Sequence, residues 1–229
     1  MDDLFLAEDS HQRIYGQPVV LGRFGIRIVG RSQRLTLNYR TTAETLRYAV
    51  GVLDGGSYVD MEEAPEDARA YRSARLGPAP RLVEVGSLTE ELDVAAGTVR
   101  GWLDEGVVPE TIGVLVRDTQ LAGRLARGLD DRGVPVRQVD RTSAGTGLPV
   151  VMTMHRAKGM EFSRVLLFGV DADLLPAAYL LRNLTEADRA DTVTRERSLL
   201  YVAATRARDE LVVTSSGGRS ALLSGGLSS

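Results

Sequence analysis

His155, Lys158 and Glu161 lie close together in residues 155–163, a polar, glycine-containing connection between two apolar runs. The first run is Val150-Val151-Met152-Thr153-Met154 and the second is Val165-Leu166-Leu167-Phe168. Both are short, β-branched-rich and without alternation, as strands buried on both faces of a parallel sheet are. Ligands of open α/β sheets gather beyond the carboxyl ends of strands, where this connection is expected to emerge. A histidine, the chain's only lysine and a glutamate at such a place form a candidate site, because core strands need no charged side chains there.

Composition narrows the chemistry. There is no cysteine, so neither a disulfide framework nor thiolate chemistry is available. Two histidines without H-x-x-x-H spacing argue against a structural zinc. No G-x-S-x-G elbow is present for an acyl-enzyme hydrolase. The formal charge of −3 gives no bulk preference for a polyanion, so any nucleic acid must meet a local basic groove. No apolar run approaches the roughly 18 residues of a membrane span, and the acidic start is not a secretory signal. The expectation is no membrane and a cytoplasmic location.

The elements that must position the site follow from pattern. Thr41 or Thr42 is the expected N-cap of a helix with Thr45, Leu46, Ala49, Val50 and Leu53 inward, ended by Gly55-Gly56. Residues 4–7 suggest a strand, 24–29 a connector, and 57–80 a loop with some helix. A strand at 82–85 precedes a helix over 87–105 with Leu88, Leu92, Ala95, Val99 and Leu103 inward. A buried strand at 111–116 leads to an amphipathic helix over 118–132, closed by Gly133. A strand at 134–139 follows, then the two apolar runs, a polar segment at 171–194, a helix over 195–208 and a strand at 211–214. The tail at 215–229, rich in serine and glycine, is expected to be flexible. Strands alternating with helices of this length predict a parallel α/β fold.

Three clusters stand at loop ends of this alternation: Leu37-Asn38-Tyr39-Arg40-Thr41, residues 153–162 with Thr153, His155, Ala157, Lys158, Gly159, Glu161 and Phe162, and residues 200–208 with Ala204-Thr205-Arg206-Ala207-Arg208. In this order they resemble motifs IV, V and VI of the UvrD/Rep-type superfamily 1 DNA helicases. Residues 8–16, EDSHQRIYG, resemble motif III of the same family. The resemblance implies a RecA-like parallel sheet flanked by helices, the P-loop NTPase superfamily fold, here the second of two motor lobes. It implies that Arg40 and Arg206 act as arginine fingers on the γ-phosphate of ATP and that Gln12 senses that phosphate or its attacking water. Tyr39 then stacks on adenine, Glu161 touches the sugar, and Thr153, His155 and Tyr15 contact single-stranded DNA. A planar, permanently charged guanidinium suits the negative charge that develops in phosphoryl transfer. Packing roles remain open for the same residues: Arg40 and Arg206 as ion-pair partners, Tyr39 as a packing residue, His155 as a loop cap, Glu161 paired with Arg156 or Arg164.

The departures from that pattern shape the expectation. No G-x-x-x-x-G-K-[ST] loop occurs, so the phosphate cradle and the acidic pair for Mg²⁺ are missing. Glu8 replaces the motif III glycine, and Gln17 stands where many members carry a DNA-stacking tryptophan. Only residues 140–149 occupy the place of the family's inserted accessory domain. The organisation expected is a remnant of a first lobe at 1–34, a second lobe at 35–214 and a tail at 215–229. The function implied is the C-terminal motor lobe of an ATP-dependent DNA helicase or translocase. ATP with Mg²⁺ binds only in a composite site with a Walker-bearing first lobe, in the same or another chain. The partners are that lobe, ATP and single-stranded DNA, and by itself the chain is expected to hydrolyse little ATP. The alternative is a non-catalytic DNA- or nucleotide-binding module.

Overall fold

Side chains on a strand point alternately to its two faces, and here that alternation sorts the core into two layers. A computed structural model of the chain describes residues 6–16, 21–26, 33–61, 64–139 and 146–223. Its regular elements are β1 (Leu37–Asn38), α1 (Ala43–Val52), β2 (Arg72–Ser73), β3 (Arg81–Glu84), α2 (Leu88–Asp104) and β4 (Ile112–Val116). They continue with α3 (Thr119–Asp130), β5 (Arg137–Gln138), β6 (Val150–Thr153), β7 (Phe162–Leu167), α4 (Glu186–Ala204) and β8 (Ala207–Ser215). Six strands form one sheet in the order β3-β8-β7-β4-β6-β5, and every neighbouring pair is parallel. β1 and β2 pair separately, also in parallel.

One face of the sheet, with Leu115, Met152, Val165, Leu167, Leu211 and Val213, packs on α1 and α4 through residues such as Ala49, Val52, Leu199 and Leu200. The other, with Ile112, Val114, Val151, Leu166 and Val212, packs on α2 and α3 through Val99, Trp102, Leu125 and Leu129. All five residues of β4 are buried because helices cover both faces. The helices are capped as side-chain chemistry demands. Thr42, Ser87, Asp118 and Thr185 each accept a backbone N–H of the first turn. Gly133 closes α3 with φ +73°, a left-handed conformation that favours glycine.

Several elements depart from the sequence reading. Residues 6–9 form no strand, and Leu6 is exposed; Leu4 and Phe5 lie outside the described residues. α4 begins at Glu186, within the stretch read as polar, because its first turns are exposed and carry no apolar stripe. β8 begins at Ala207, four residues earlier than expected, since Arg208, Asp209 and Glu210 belong to the strand despite their charge. β5 shrinks to two residues. Residues 215–223 pack against the lobe. Ser216 and Gly217 donate backbone N–H groups to Asp171 at 2.6 and 3.1 Å, Ser220 donates to the Leu175 carbonyl, and Leu222 and Leu223 are buried. Residues 224–229 lie outside the described part.

Candidate functional site

The connection after β6 does not stay at one end of the sheet. β6 and β7 both run parallel to β4, so residues 154–161 must travel from the carboxyl end of β6 back to the amino end of β7. The expectation that the whole connection emerges beyond the carboxyl ends therefore holds for Thr153 and His155 and is corrected for Glu161. The candidate residues fall into two groups at opposite ends of the strands.

At the amino end, Glu161 precedes β7, Arg206 precedes β8, and Arg40 follows β1. Arg40 Nε donates to Glu161 Oε2 at 2.9 Å, across 121 residues of sequence. The partner is neither Arg156 nor Arg164; Arg164 pairs instead with Glu105 and Glu210. Arg206 is buried, and its guanidinium is held by three hydrogen bonds: Nε to the Val202 carbonyl at 3.0 Å, Nη1 to the Met160 carbonyl at 3.1 Å, and Nη2 to Thr205 Oγ1 at 3.2 Å. A guanidinium has five N–H donors, so each terminal nitrogen keeps one in reserve. Burial, and then the nearby charge of Arg40, pull the Arg206 pKa down to about 10, so it remains a cation at neutral pH. Two arginines near enough to repel, with one carboxylate between them, make a rim suited to an anion. Tyr39, 71% exposed, stands beside Arg40 with its ring free to take a planar partner.

At the carboxyl end, Thr153 closes β6 and its Oγ1 accepts the Arg156 N–H at 3.3 Å, which starts the turn. The His155 ring lies 5.7 Å from that of Tyr15, and Tyr15 is 62% exposed. Burial, with a further push from Arg117, lowers the His155 pKa to about 4, so this imidazole is neutral at pH 7. Arg117 is itself buried and forms a bidentate pair with Glu196 on α4, at 2.8 and 2.7 Å.

Residues 8–16 lie along the connection and touch both groups. Lys158 Nζ donates to the Gln12 carbonyl at 2.9 Å. The Gln12 side chain is turned to Asp9, with Nε2 donating to Oδ2 at 2.6 Å, and the charge of Asp9 reaches Arg206. His11 is buried among Tyr58, Tyr71 and Tyr201, with ring centroids 4.8, 5.9 and 6.1 Å away. Gln17 lies outside the described residues. Sequence reading missed Asp9, Arg117 and Arg75. The first two carry the only hints it offered, a carboxylate next to a motif residue and a charge ending a buried strand.

A six-stranded parallel sheet with helices on both faces is a doubly wound α/β lobe, the architecture that a RecA-like fold requires. Comparisons with known proteins go further. The UvrD-like helicase C-terminal domain family matches residues 150–217. The ATP-dependent DNA helicase PcrA of Bacillus subtilis is 35% identical over 158 residues, 69% of this chain and 19% of that protein. The ATP-dependent DNA helicase Rep of Buchnera aphidicola is 41% identical over 64 residues, 28% of this chain and 9% of that protein. The crystal structure of the C-terminal domain of a possible DNA helicase from Lactobacillus plantarum shares the fold. Its TM-score is 0.59 at 21% identity, covering 82% of this chain and 93% of that one. Residues 150–217 thus match the C-terminal domain of UvrD-like helicases, and over a longer stretch the chain is similar to part of a UvrD/Rep-type superfamily 1 helicase. It spans no more than a fifth of the length of these curated relatives.

Proposed function

We propose that this chain is the second motor lobe of an ATP-dependent DNA helicase or translocase, presenting Arg40 and Arg206 to a nucleotide held between it and a Walker-bearing first lobe. The observation that carries the reading is the convergence of Arg40, Glu161 and Arg206, from three distant segments, at the amino ends of β7 and β8. Two guanidinium groups at one rim answer the charge that spreads over the oxygens of a transferring phosphoryl group. The residues fit the triphosphate and base of ATP, with two cations and an exposed aromatic ring. They do not supply the metal: among the described residues no cluster of three histidine, aspartate or glutamate side chains could hold an ion. In this reading the protein ligands of Mg²⁺ come from the Walker-bearing first lobe.

The carboxyl end serves single-stranded DNA in this reading, with Thr153 and His155 facing the backbone and the exposed Tyr15 ring offering a stacking surface. A neutral imidazole contacts a phosphate by hydrogen bonding rather than by charge. Residues 154–161 join the two ends, so closure around a nucleotide at Glu161 is felt at His155 through one short, packed segment. Gln12 completes the nucleotide end through the contacts of residues 8–16.

The test is reconstitution with a first lobe of the PcrA type and measurement of single-strand-stimulated ATP hydrolysis. Arg206→Ala is expected to cost on the order of a thousandfold or more in rate. Hydrolysis by Arg206→Ala at the parent rate removes the finger assignment. Binding of single-stranded DNA without hydrolysis in any such mixture favours a non-catalytic module.

A further inference from the structure

Arg40 and Arg206 come from segments joined directly by one buried hydrogen bond, Thr41 Oγ1 donating to the Ala207 carbonyl at 2.5 Å, which ties their backbones at a single point. Arg75, in the stretch that reads from sequence as an irregular loop, touches both segments. Its Nη1 donates to the Arg40 carbonyl at 2.6 Å and to the Arg208 carbonyl at 3.0 Å, and its Nη2 donates to Asp209 Oδ1 at 2.6 Å. We propose that Arg75 is a positioning residue that braces the spacing of Arg40 and Arg206 alongside the Thr41–Ala207 bond, with Asp209 as its anchor. The inference deepens the nucleotide-site reading and rests on it for its functional consequence.

Two features of the backbone bring Arg75 to this place. β1 and β2 pair with Leu37 opposite Arg72 and Asn38 opposite Ser73, and the same register carried onward sets Arg75 opposite Arg40. The pairing is reinforced beyond the strands, where Ser73 Oγ donates to the Thr41 carbonyl at 2.6 Å and the Ala43 N–H donates to the Arg75 carbonyl at 2.8 Å. On the other side, β7 and β8 pair Phe162 with Ala207 but Arg164 with Glu210. Two steps along β7 thus face three along β8, a β-bulge at Arg208 and Asp209. A bulge leaves backbone groups outside the ladder and re-aims the side chains beside it. Arg75 takes the Arg208 carbonyl at this irregularity.

Asp209 gathers the remaining strand. Besides Arg75 it accepts from Ser163 Oγ at 2.8 Å, two residues beyond Glu161, and from Arg208 Nε and Nη2 at 3.0 and 2.8 Å. Arg75 and Asp209 therefore connect the segments that bear Arg40, Glu161 and Arg206. A planar fork is needed here. Nη1 serves the two carbonyls while Nη2 reaches the carboxylate, a spread that an ammonium would have to cover from a single nitrogen.

The first measurement uses the chain alone. In Arg75→Lys and Arg75→Gln, amide hydrogen exchange at Arg40 and Thr41 is expected to accelerate on the order of tenfold or more, with Val114 and Met152 unchanged. Unchanged exchange at Arg40 and Thr41, or equal acceleration in the core, overturns the proposal. The second uses the reconstituted pair. Arg75→Lys is expected to lower kcat on the order of tenfold while KM for ATP stays within about twofold, and Asp209→Asn to do the same without adding to it. Full rescue by lysine, or a change in KM alone, means that Arg75 acts by charge and not by position. If the parent pair hydrolyses no ATP, the nucleotide reading fails by itself, and the exchange data still decide whether Arg75 holds the two segments.

Discussion

Arg40 and Glu161 form an ion pair at 2.9 Å in which both side chains remain nearly half exposed. Such a pair adds at most about 1 kcal/mol to stability, because solvent screens it and two long side chains lose freedom in making it. Its importance lies in what else the cation could bind. A carboxylate on Arg40 beside Arg206 competes with any phosphate that approaches the rim. Glu161→Gln is expected to leave unfolding free energy within about 1 kcal/mol of the parent. Affinity of the chain for inorganic tripolyphosphate should rise on the order of threefold to tenfold at low salt, since one repelling charge is gone. Calorimetric titration reads both the sign and the salt dependence; weaker binding would show that Glu161 assists the anion.

The Arg117–Glu196 pair is the opposite case. Its members are 9% and 7% exposed, and two short hydrogen bonds join them. Removing one partner strands the other charge away from water. Glu196→Ala is expected to cost about 3–5 kcal/mol, measured by urea unfolding. A paired replacement, Arg117→Met with Glu196→Leu, should recover most of that loss. A cost below about 1 kcal/mol for Glu196→Ala would mean that water reaches the pair.

Gly113 sits in the central strand where a Cβ would meet the Phe162 ring at 2.8 Å. That ring belongs to the first residue of β7, next to Glu161, and cannot retreat without disturbing the rim. Gly113→Ala should therefore destabilise by about 1–3 kcal/mol through overpacking. Gly101, within α2, has nothing within 4 Å of a Cβ, and Gly101→Ala should stabilise by about 0.5–1 kcal/mol. The two variants, compared by thermal unfolding, must move in opposite directions for this account to stand.

Where local physics decides, these outcomes were readable from the chain. Thr42 caps α1, Gly133 ends α3, and β4 is as buried as its unbroken apolar run suggests. The start of α4 was hidden because a helix that projects into solvent needs no apolar stripe, and the start of β8 because charged residues can occupy a strand at a sheet end. Long-range pairing was hidden too. Arg156 and Arg164 are Glu161's neighbours in sequence, yet the strands deliver Arg40 to it. Arg75 had no periodicity to mark it; only the register of β1 with β2 and the bulge in β8 give it a role.

His155 links the site to pH. Burial, followed by the nearby Arg117 charge, depresses its pKa from 6.5 to about 4 in the fold. The unfolded chain therefore binds a proton between those values that the folded chain refuses. The stability this group contributes is fully present above pH 6.5 and is lost as pH falls toward 4. Asp9 and Asp209 do not obscure this window. For both, burial is outweighed by hydrogen bonds, from His11 and Gln12 for Asp9 and from Arg208, Arg75 and Ser163 for Asp209. Each pKa is held below the ordinary aspartate value, so these carboxylates give up their contributions at lower pH. His155→Gln keeps a polar side chain without the titration, and its stability should fall less steeply than the parent's between pH 6.5 and 4. Urea midpoints measured across that range test the difference. Parallel curves would place His155 in water in the folded protein, and a neutral imidazole facing the DNA backbone could then no longer be maintained.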